Sequence, residues 1–228
     1  MGGKLDLIIL ISSSKNLPIC QKFNYKMTQI YLISPPKIEL NSFSKRLENA
    51  LKTGLVPVFQ LRLKDYQTDE ITKIATEIQK ICRDNNCLFL LNDFWQIALD
   101  CGFQGVHLGE GDGLVSAVRK KADKNFVIGA SCYNSRHLAI EAAENDANYV
   151  AFGAFFPTTT KEAKTKASPE ILSWAKEILT LPCVAIGGIN ASNAAQVKEA
   201  DFIAVISAIW NDAEGEVAAI KKLQRAIF

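Results

Sequence analysis

From Gln29 to the C-terminus, short apolar runs alternate eight times with longer stretches of helical periodicity. The runs fall at 30–33, 56–61, 88–91, 105–108, 126–130, 149–153, 183–186 and 202–206. They are nearly continuous in apolar residues rather than alternating, which suits strands covered on both faces of a parallel sheet. Between them, Ile71, Ile74, Ala75, Ile78 and Ile81 recur at helical spacing. So do Leu138, Ala139, Ala142 and Ala143, and later Val217, Ile220, Leu223 and Ile227. Ser168-Pro169-Glu170 reads as a helix N-cap followed by proline in the first turn. Eight strand–helix units in about 200 residues predict an α/β fold, a (β/α)₈ TIM barrel. A doubly wound sheet is the alternative, but it calls for a G-x-G-x-x-G turn after the first strand, and Ser34-Pro35-Pro36 stands there instead.

A chain of 228 residues, 48% hydrophobic and 22% charged, can bury one large core. The first 26 residues fit no unit of the pattern. Leu7 to Ile11 is short for a signal sequence, and no cleavage site of the usual type follows it. Residues 1–26 are therefore read as an N-terminal extension, disordered or untranslated, with Met27 as an alternative start and 27–228 as the barrel domain. A net charge of +2 with no Lys/Arg run argues against nucleic acid as a partner. No apolar stretch approaches the roughly 18 residues of a membrane span. Six cysteines without a C-x-x-C pair, and only two histidines, His107 and His137, argue against a zinc site. Several of the cysteines sit in apolar runs as free thiols do, so a reducing cytoplasm is the simplest setting.

In a barrel the chemistry sits just after each strand. After the second run, Gln60, Arg62 and Lys64 alternate with Leu61 and Leu63, placing two cations and an amide on one side as an anion clamp. A polar strand edge is the alternative. After the third come Asn92 and Asp93, the latter a carboxylate that needs a partner or serves as an N-cap. After the fourth comes His107-Leu108-Gly109-Glu110-Gly111-Asp112. Asp93 and Asp112 together offer oxygen ligands to Mg²⁺, which prefers few carboxylates plus water and phosphate. His107 is more readily a barrel-interior residue than a catalyst.

Ser131 follows the fifth run. Pro157-Thr158-Thr159-Thr160-Lys161 follows the sixth and opens a polar loop, 154–168, that is a lid candidate. Hydroxyls and an ammonium there fit phosphate oxygens, although a solvated turn would also read this way. Gly187-Gly188-Ile189 follows the seventh run and Ile206-Ser207 the eighth, where this architecture usually binds phosphate. Two anion sites are implied, hence two phosphorylated reactants or one with phosphates at both ends.

At these residues the chain resembles the thiamine phosphate synthases, from about residue 29 to 228. The resemblance rests on Gln60-x-Arg62-x-Lys64, Asn92-Asp93, His107-Leu108-Gly109-x-x-Asp112, Gly129-x-Ser131, Pro157-Thr158-x-Thr160-Lys161, Gly187-Gly188-Ile189 and Ile206-Ser207. It implies condensation of an aminopyrimidine methyl diphosphate with a thiazole phosphate, or its carboxylated form, releasing diphosphate. Gln60 would contact the pyrimidine. Arg62, Lys64, Asn92, Ser131 and Lys161 would hold the diphosphate, with Arg62, Lys64, Ser131 and Lys161 acting on the departing group. Asp93 and Asp112 would bind Mg²⁺. Thr158, Thr160, Gly188, Ile206 and Ser207 would serve the thiazole phosphate or the adjoining diphosphate, and Gly187 would be substrate-binding beside them. Leu63 stands where the family often has glutamate, and Glu110-Gly111 where Gln-Glu is common. A thiazole tautomerase of the same superfamily and a non-catalytic thiazole phosphate binder are the alternatives. The oligomeric state is left open, a homodimer included.

Overall fold

The computed structural model of the chain describes residues 27–158 and 165–228. The expectations for residues 1–26, and those for Thr160 and Lys161, lie outside the described residues.

Among the described residues, eight parallel strands close into a barrel in sequence order. They are β1 (Gln29–Ile33), β2 (Val58–Leu61), β3 (Leu88–Asn92), β4 (Gly105–Leu108), β5 (Val127–Tyr133), β6 (Tyr149–Gly153), β7 (Cys183–Ile186) and β8 (Phe202–Val205). Strand β8 returns to β1 with Leu32 opposite Val205. The helices are α1 (Leu40–Leu51), α2 (Thr68–Asp84), α3 (Trp95–Asp100), α4 (Val115–Arg119), α5 (Arg136–Glu144), α6 (Glu170–Ile178), α7 (Ser207–Trp210) and α8 (Glu216–Ile227). A 3₁₀ turn, Ala194–Val197, takes the place of a helix between β7 and β8. The (β/α)₈ barrel is therefore the observed architecture.

The continuous apolar runs have the cause expected of them. Alternate strand residues face two different cores. Tyr31, Ile33, Leu90, Tyr149, Val184 and Phe202 fill the barrel interior. Ile30, Leu32, Phe59 and Leu91 pack outward, in one cluster with Leu47 and Ile78 of the surrounding helices.

Five strands differ in extent from the sequence pattern, β1 by starting one residue earlier, at Gln29. Strand β2 begins after Pro57, whose carbonyl accepts from Leu88 N–H at 2.8 Å. Strand β3 includes Asn92. Strand β5 continues through Ser131 to Tyr133, across an irregularity in its pairing with β6. Strand β8 stops at Val205, and Ile206 turns the chain directly into α7.

Helix α6 starts one residue later than its sequence suggests: Pro169, not Ser168, holds the N-cap position, with no side-chain cap bond. Pro169 is already helical, and Ile171 N–H donates to Ser168 O at 3.1 Å. The opposite end of the barrel from the strand C-termini is sealed by polar staples. Arg119 donates to the carbonyls of Phe126 and Asp146 and to Asn148 Oδ1, the last at 2.7 Å. Cys183 N–H donates to Asp201 Oδ2 at 2.7 Å.

Cys82, Cys87, Cys101, Cys132 and Cys183 are free thiols, all buried except Cys101. Burial pushes the Cys132 thiol up to about 12. Among the described residues no helix is long and apolar enough to cross a membrane.

Candidate active site

The strand C-termini surround a cavity of about 190 Å³. Alternation along each strand decides what faces it. Small apolar residues, Ala151, Val184 and Ala204, line its floor, and polar side chains from other strands rise around them. This mixture suits a flat apolar ring carrying charged substituents.

A connected row of polar groups crosses the interior beneath the opening. Gln60 Nε2 donates to Tyr31 Oη at 2.8 Å. Tyr31 Oη and Tyr149 Oη lie 2.8 Å apart. Tyr149 Oη lies 2.9 Å from His107 Nδ1, and His107 Nε2 lies 2.9 Å from Ser131 Oγ. His107 also stacks on the Tyr149 ring, with centroids 5.6 Å apart. Gln60, Tyr31 and Tyr149 are buried. Burial raises both phenols well above their ordinary range, so both stay protonated.

Beside this row stands a charged corner. Arg62 follows β2 and lines the cavity. Its guanidinium is half-buried, and desolvation pulls its pKa down while the charges of Asp93 and Asp112 oppose the shift. Neither carboxylate forms a salt bridge with it among the described residues. Asp93 lines the cavity with φ +69°, an uncommon backbone for a residue bearing a side chain. Asp112 Oδ2 accepts from Gly109 N–H at 2.9 Å. Neither carboxylate is an N-cap: Phe94 and Leu114 hold those positions on α3 and α4.

Asp93 and Asp112 converge on Gly109. A Cβ placed there would lie 2.6 Å from Asp112 Oδ2 and 3.9 Å from Asp93 Oδ1. Only glycine leaves the space between the two carboxylates open. Among the described residues no cluster of three or more His, Cys, Asp or Glu side chains could hold a metal. Two carboxylates facing a cavity match the sparse protein ligation of Mg²⁺, whose remaining sites go to water and phosphate.

The other wall comes from β6, β7 and β8. Gly187, Gly188, Ile206, Ser207 and Thr158 all line it. The loop after β6 is bonded to the end of β7: Phe155 N–H donates to Ile186 O at 3.1 Å, and Phe156 N–H to Gly187 O at 3.0 Å. Gly188 has φ +65°, and a Cβ there would sit 2.2 Å from Pro157 O. Both facts require glycine. The far side of the same loop is anchored too, with Thr165 Oγ1 donating to Gly153 O at 3.0 Å.

Of the residues singled out in the sequence, the cavity brings together Gln60, Arg62, Asn92, Asp93, Ser131, Thr158, Gly187, Gly188, Ile206 and Ser207. Asp112 stands just behind, at Gly109. Lys64 does not line the cavity. Strand β2 ends at Leu61, and Lys64 is exposed, with its N–H donating to Pro36 O at 2.9 Å. Sequence reasoning missed Tyr31, Tyr133 and Tyr149. The available signal was a phenol within an apolar run, since a buried hydroxyl must find a partner.

Comparison with known proteins agrees in one direction. A model of the family described as thiamine monophosphate synthase matches residues 30–209. The chain is 41% identical over 201 residues to the thiamine-phosphate synthase of Rhodospirillum centenum, covering 87% of this chain and 97% of that one. It is 42% identical over 193 residues to the thiamine-phosphate synthase of Erythrobacter litoralis, covering 82% and 90%. Among solved structures, the thiamine phosphate pyrophosphorylase from Pyrococcus furiosus superposes with a TM-score of 0.76 at 32% identity, covering 87% of this chain and 95% of that one.

Proposed function

This chain belongs to the thiamine monophosphate synthase family, and on that footing we propose that it joins an aminopyrimidine methyl diphosphate to a thiazole phosphate in the cavity described above. It is an enzyme, a transferase making thiamine phosphate. The tautomerase and the non-catalytic binder are not favoured, because the matched relatives carry the synthase name at high coverage.

The observation that carries the site assignment is Arg62. A half-buried guanidinium opening onto a cavity, with no direct ion pair among the described residues, is costly unless an anion arrives to meet it. A diphosphate supplies that anion.

The reaction needs no strong base. The bond between the pyrimidine methylene carbon and the diphosphate oxygen breaks, and its electron pair leaves with diphosphate. The electron-rich aminopyrimidine carries the positive charge that remains. The thiazole nitrogen lone pair then forms the new C–N bond, and the charge ends on the thiazolium. No proton is lost.

The protein's task is to neutralise the departing charge and to align two reactants. Arg62, Asn92 and Ser131 would face the diphosphate, with Lys64 and Lys161 adding charge around the opening. Gln60 would hold the pyrimidine, whose ring would lie over Ala151, Val184 and Ala204. Gly187, Gly188, Ile206, Ser207, Thr158 and Thr160 would hold the thiazole phosphate. Asp93 and Asp112 would hold Mg²⁺, which when bound offsets charge on the leaving diphosphate. The free buried thiols fit a reducing cytoplasm.

The test is formation of thiamine phosphate, separated by chromatography, after the purified chain is given both reactants. Product from both, and from neither alone, supports the reading. Folded protein that makes none overturns it.

A further inference from the structure

The buried row from Gln60 to Ser131 does more than fill the barrel. Both of its ends reach the same cavity, and every link between them is 2.8 or 2.9 Å. Three of these links are buried and the His107–Ser131 link is partly buried, and each must be given one proton and one acceptor.

Counting protons along the row fixes its direction. The Gln60 amide nitrogen can only donate, so Tyr31 Oη accepts there. Among the described residues the other hydrogen-bond partner of Tyr31 Oη is Tyr149 Oη, so Tyr31 must donate to it. Tyr149 has then accepted from Tyr31 and must donate to His107 Nδ1. His107 therefore carries its proton on Nε2 and donates to Ser131 Oγ. Ser131 has accepted, so its own proton points away from His107. At the other end the Gln60 carbonyl oxygen is the atom left to face the cavity. Both phenols are held protonated by burial, which keeps the sequence of donors intact.

We propose that Tyr31, Tyr149 and His107 form a one-way hydrogen-bond relay. It locks His107 as the neutral Nε2–H tautomer, and it presents an acceptor at Gln60 and a donor at Ser131 to one bound reactant. The choice of reactant rests on the synthase reading. An aminopyrimidine diphosphate offers amine hydrogens to the Gln60 oxygen and anionic oxygens to the Ser131 hydroxyl. Turning the Gln60 amide over would reverse every proton in the row and leave Ser131 presenting a lone pair to an anion. The relay thus ties recognition of the amine to readiness of the hydroxyl, across strands β2, β1, β6, β4 and β5. Tyr31, Tyr149 and His107 are positioning residues.

The test reads the tautomer directly. Nitrogen NMR of ¹⁵N-labelled full-length protein without substrate resolves its two histidines, and His137→Gln assigns them. A bare Nδ1 and a protonated Nε2 on His107 are expected, and the opposite tautomer overturns the proposal. Tyr149→Phe keeps the stacked ring and cuts the row. It should move the His107 signals toward a tautomer mixture and lower kcat about tenfold, the effect of one lost buried hydrogen bond. KM for the thiazole phosphate should stay unchanged.

Combining Tyr149→Phe with Ser131→Ala should be no slower than Ser131→Ala alone. Multiplying losses, or a Tyr149→Phe protein with unmoved signals, would mean a purely structural role and overturn the relay. If Tyr149→Phe does not fold, Tyr31→Phe cuts the row one link earlier and is judged the same way. Wild-type protein with the expected tautomer but no synthase activity would sink the function and leave the relay standing.

Discussion

The ring of Tyr149 occupies the space that any side chain at Gly129 would need. A Cβ at Gly129 would lie 1.9 Å from Tyr149 Cζ and 2.3 Å from its hydroxyl oxygen. The two residues face each other in the β5–β6 register, so a missing side chain on one strand lets a phenol from the next reach across the barrel. Gly129→Ala should therefore cost about 1–3 kcal/mol of stability, the usual penalty for overpacking. It should also lower activity by displacing Tyr149 from His107. Denaturant unfolding together with a turnover assay checks both. Unchanged stability would mean that the ring moves aside freely.

Arg62 trades stability for an anion site. Replacing it by methionine removes a half-buried cation and retains most of the apolar stem. The melting temperature is expected to be equal or higher, and turnover at least about a hundredfold lower, in line with losing one group aimed at developing charge. Arg62→Lys should recover only part of the activity, because an ammonium cannot grip a diphosphate with two parallel bonds. Full recovery by lysine would show that charge alone is enough.

Asp93→Asn and Asp112→Asn preserve shape and remove one charge each. Turnover in the presence of Mg²⁺ is expected to fall by about 10²-fold or more in each, with circular dichroism unchanged. Asp112 holds Gly109 N–H, and an asparagine oxygen can still accept that bond, so Asp112→Asn should fold as wild type does. Wild-type rates in either variant would remove that residue from the metal assignment.

Asp201 gives a pH signature at the closed end of the barrel. Burial raises its pKa, outweighing the bond from Cys183 N–H. A carboxyl whose folded pKa is raised costs no stability below its unfolded pKa. The cost appears as pH rises through the window up to the folded value and is complete above it. Asp201→Asn keeps an acceptor for Cys183 and removes the charge. Its melting temperature should match or exceed that of wild type at pH 7, and any advantage should vanish below about pH 4, the ordinary carboxylate range. An advantage that grows with acid would reverse the assignment.

The barrel was legible in the sequence because each strand is buried on both faces, and a run such as Leu88 to Leu91 then has no polar residue to hide it. Strand β5 was read short because Ser131 looks like a strand end, whereas the strand continues across a pairing irregularity to Tyr133. Strand-end residues such as Arg62, Asp93 and Ser207 could be placed because the fold dictates where its cavity forms. Lys64 could not, since alternation continues in sequence after β2 has stopped pairing. The Tyr31–Tyr149 contact was beyond reach: it joins residues 118 apart, and only closure of the barrel brings them together. The expectations for Thr160 and Lys161 rest on the sequence alone.

The most direct test of the account is diphosphate release by the purified full-length chain, with each reactant omitted in turn and with Mg²⁺ present or chelated. The account predicts release only when the pyrimidine diphosphate, the thiazole phosphate and Mg²⁺ are all present, with thiamine phosphate formed in equal amount. Folded protein that releases no diphosphate under those conditions would contradict it, as would release that ignores the thiazole phosphate.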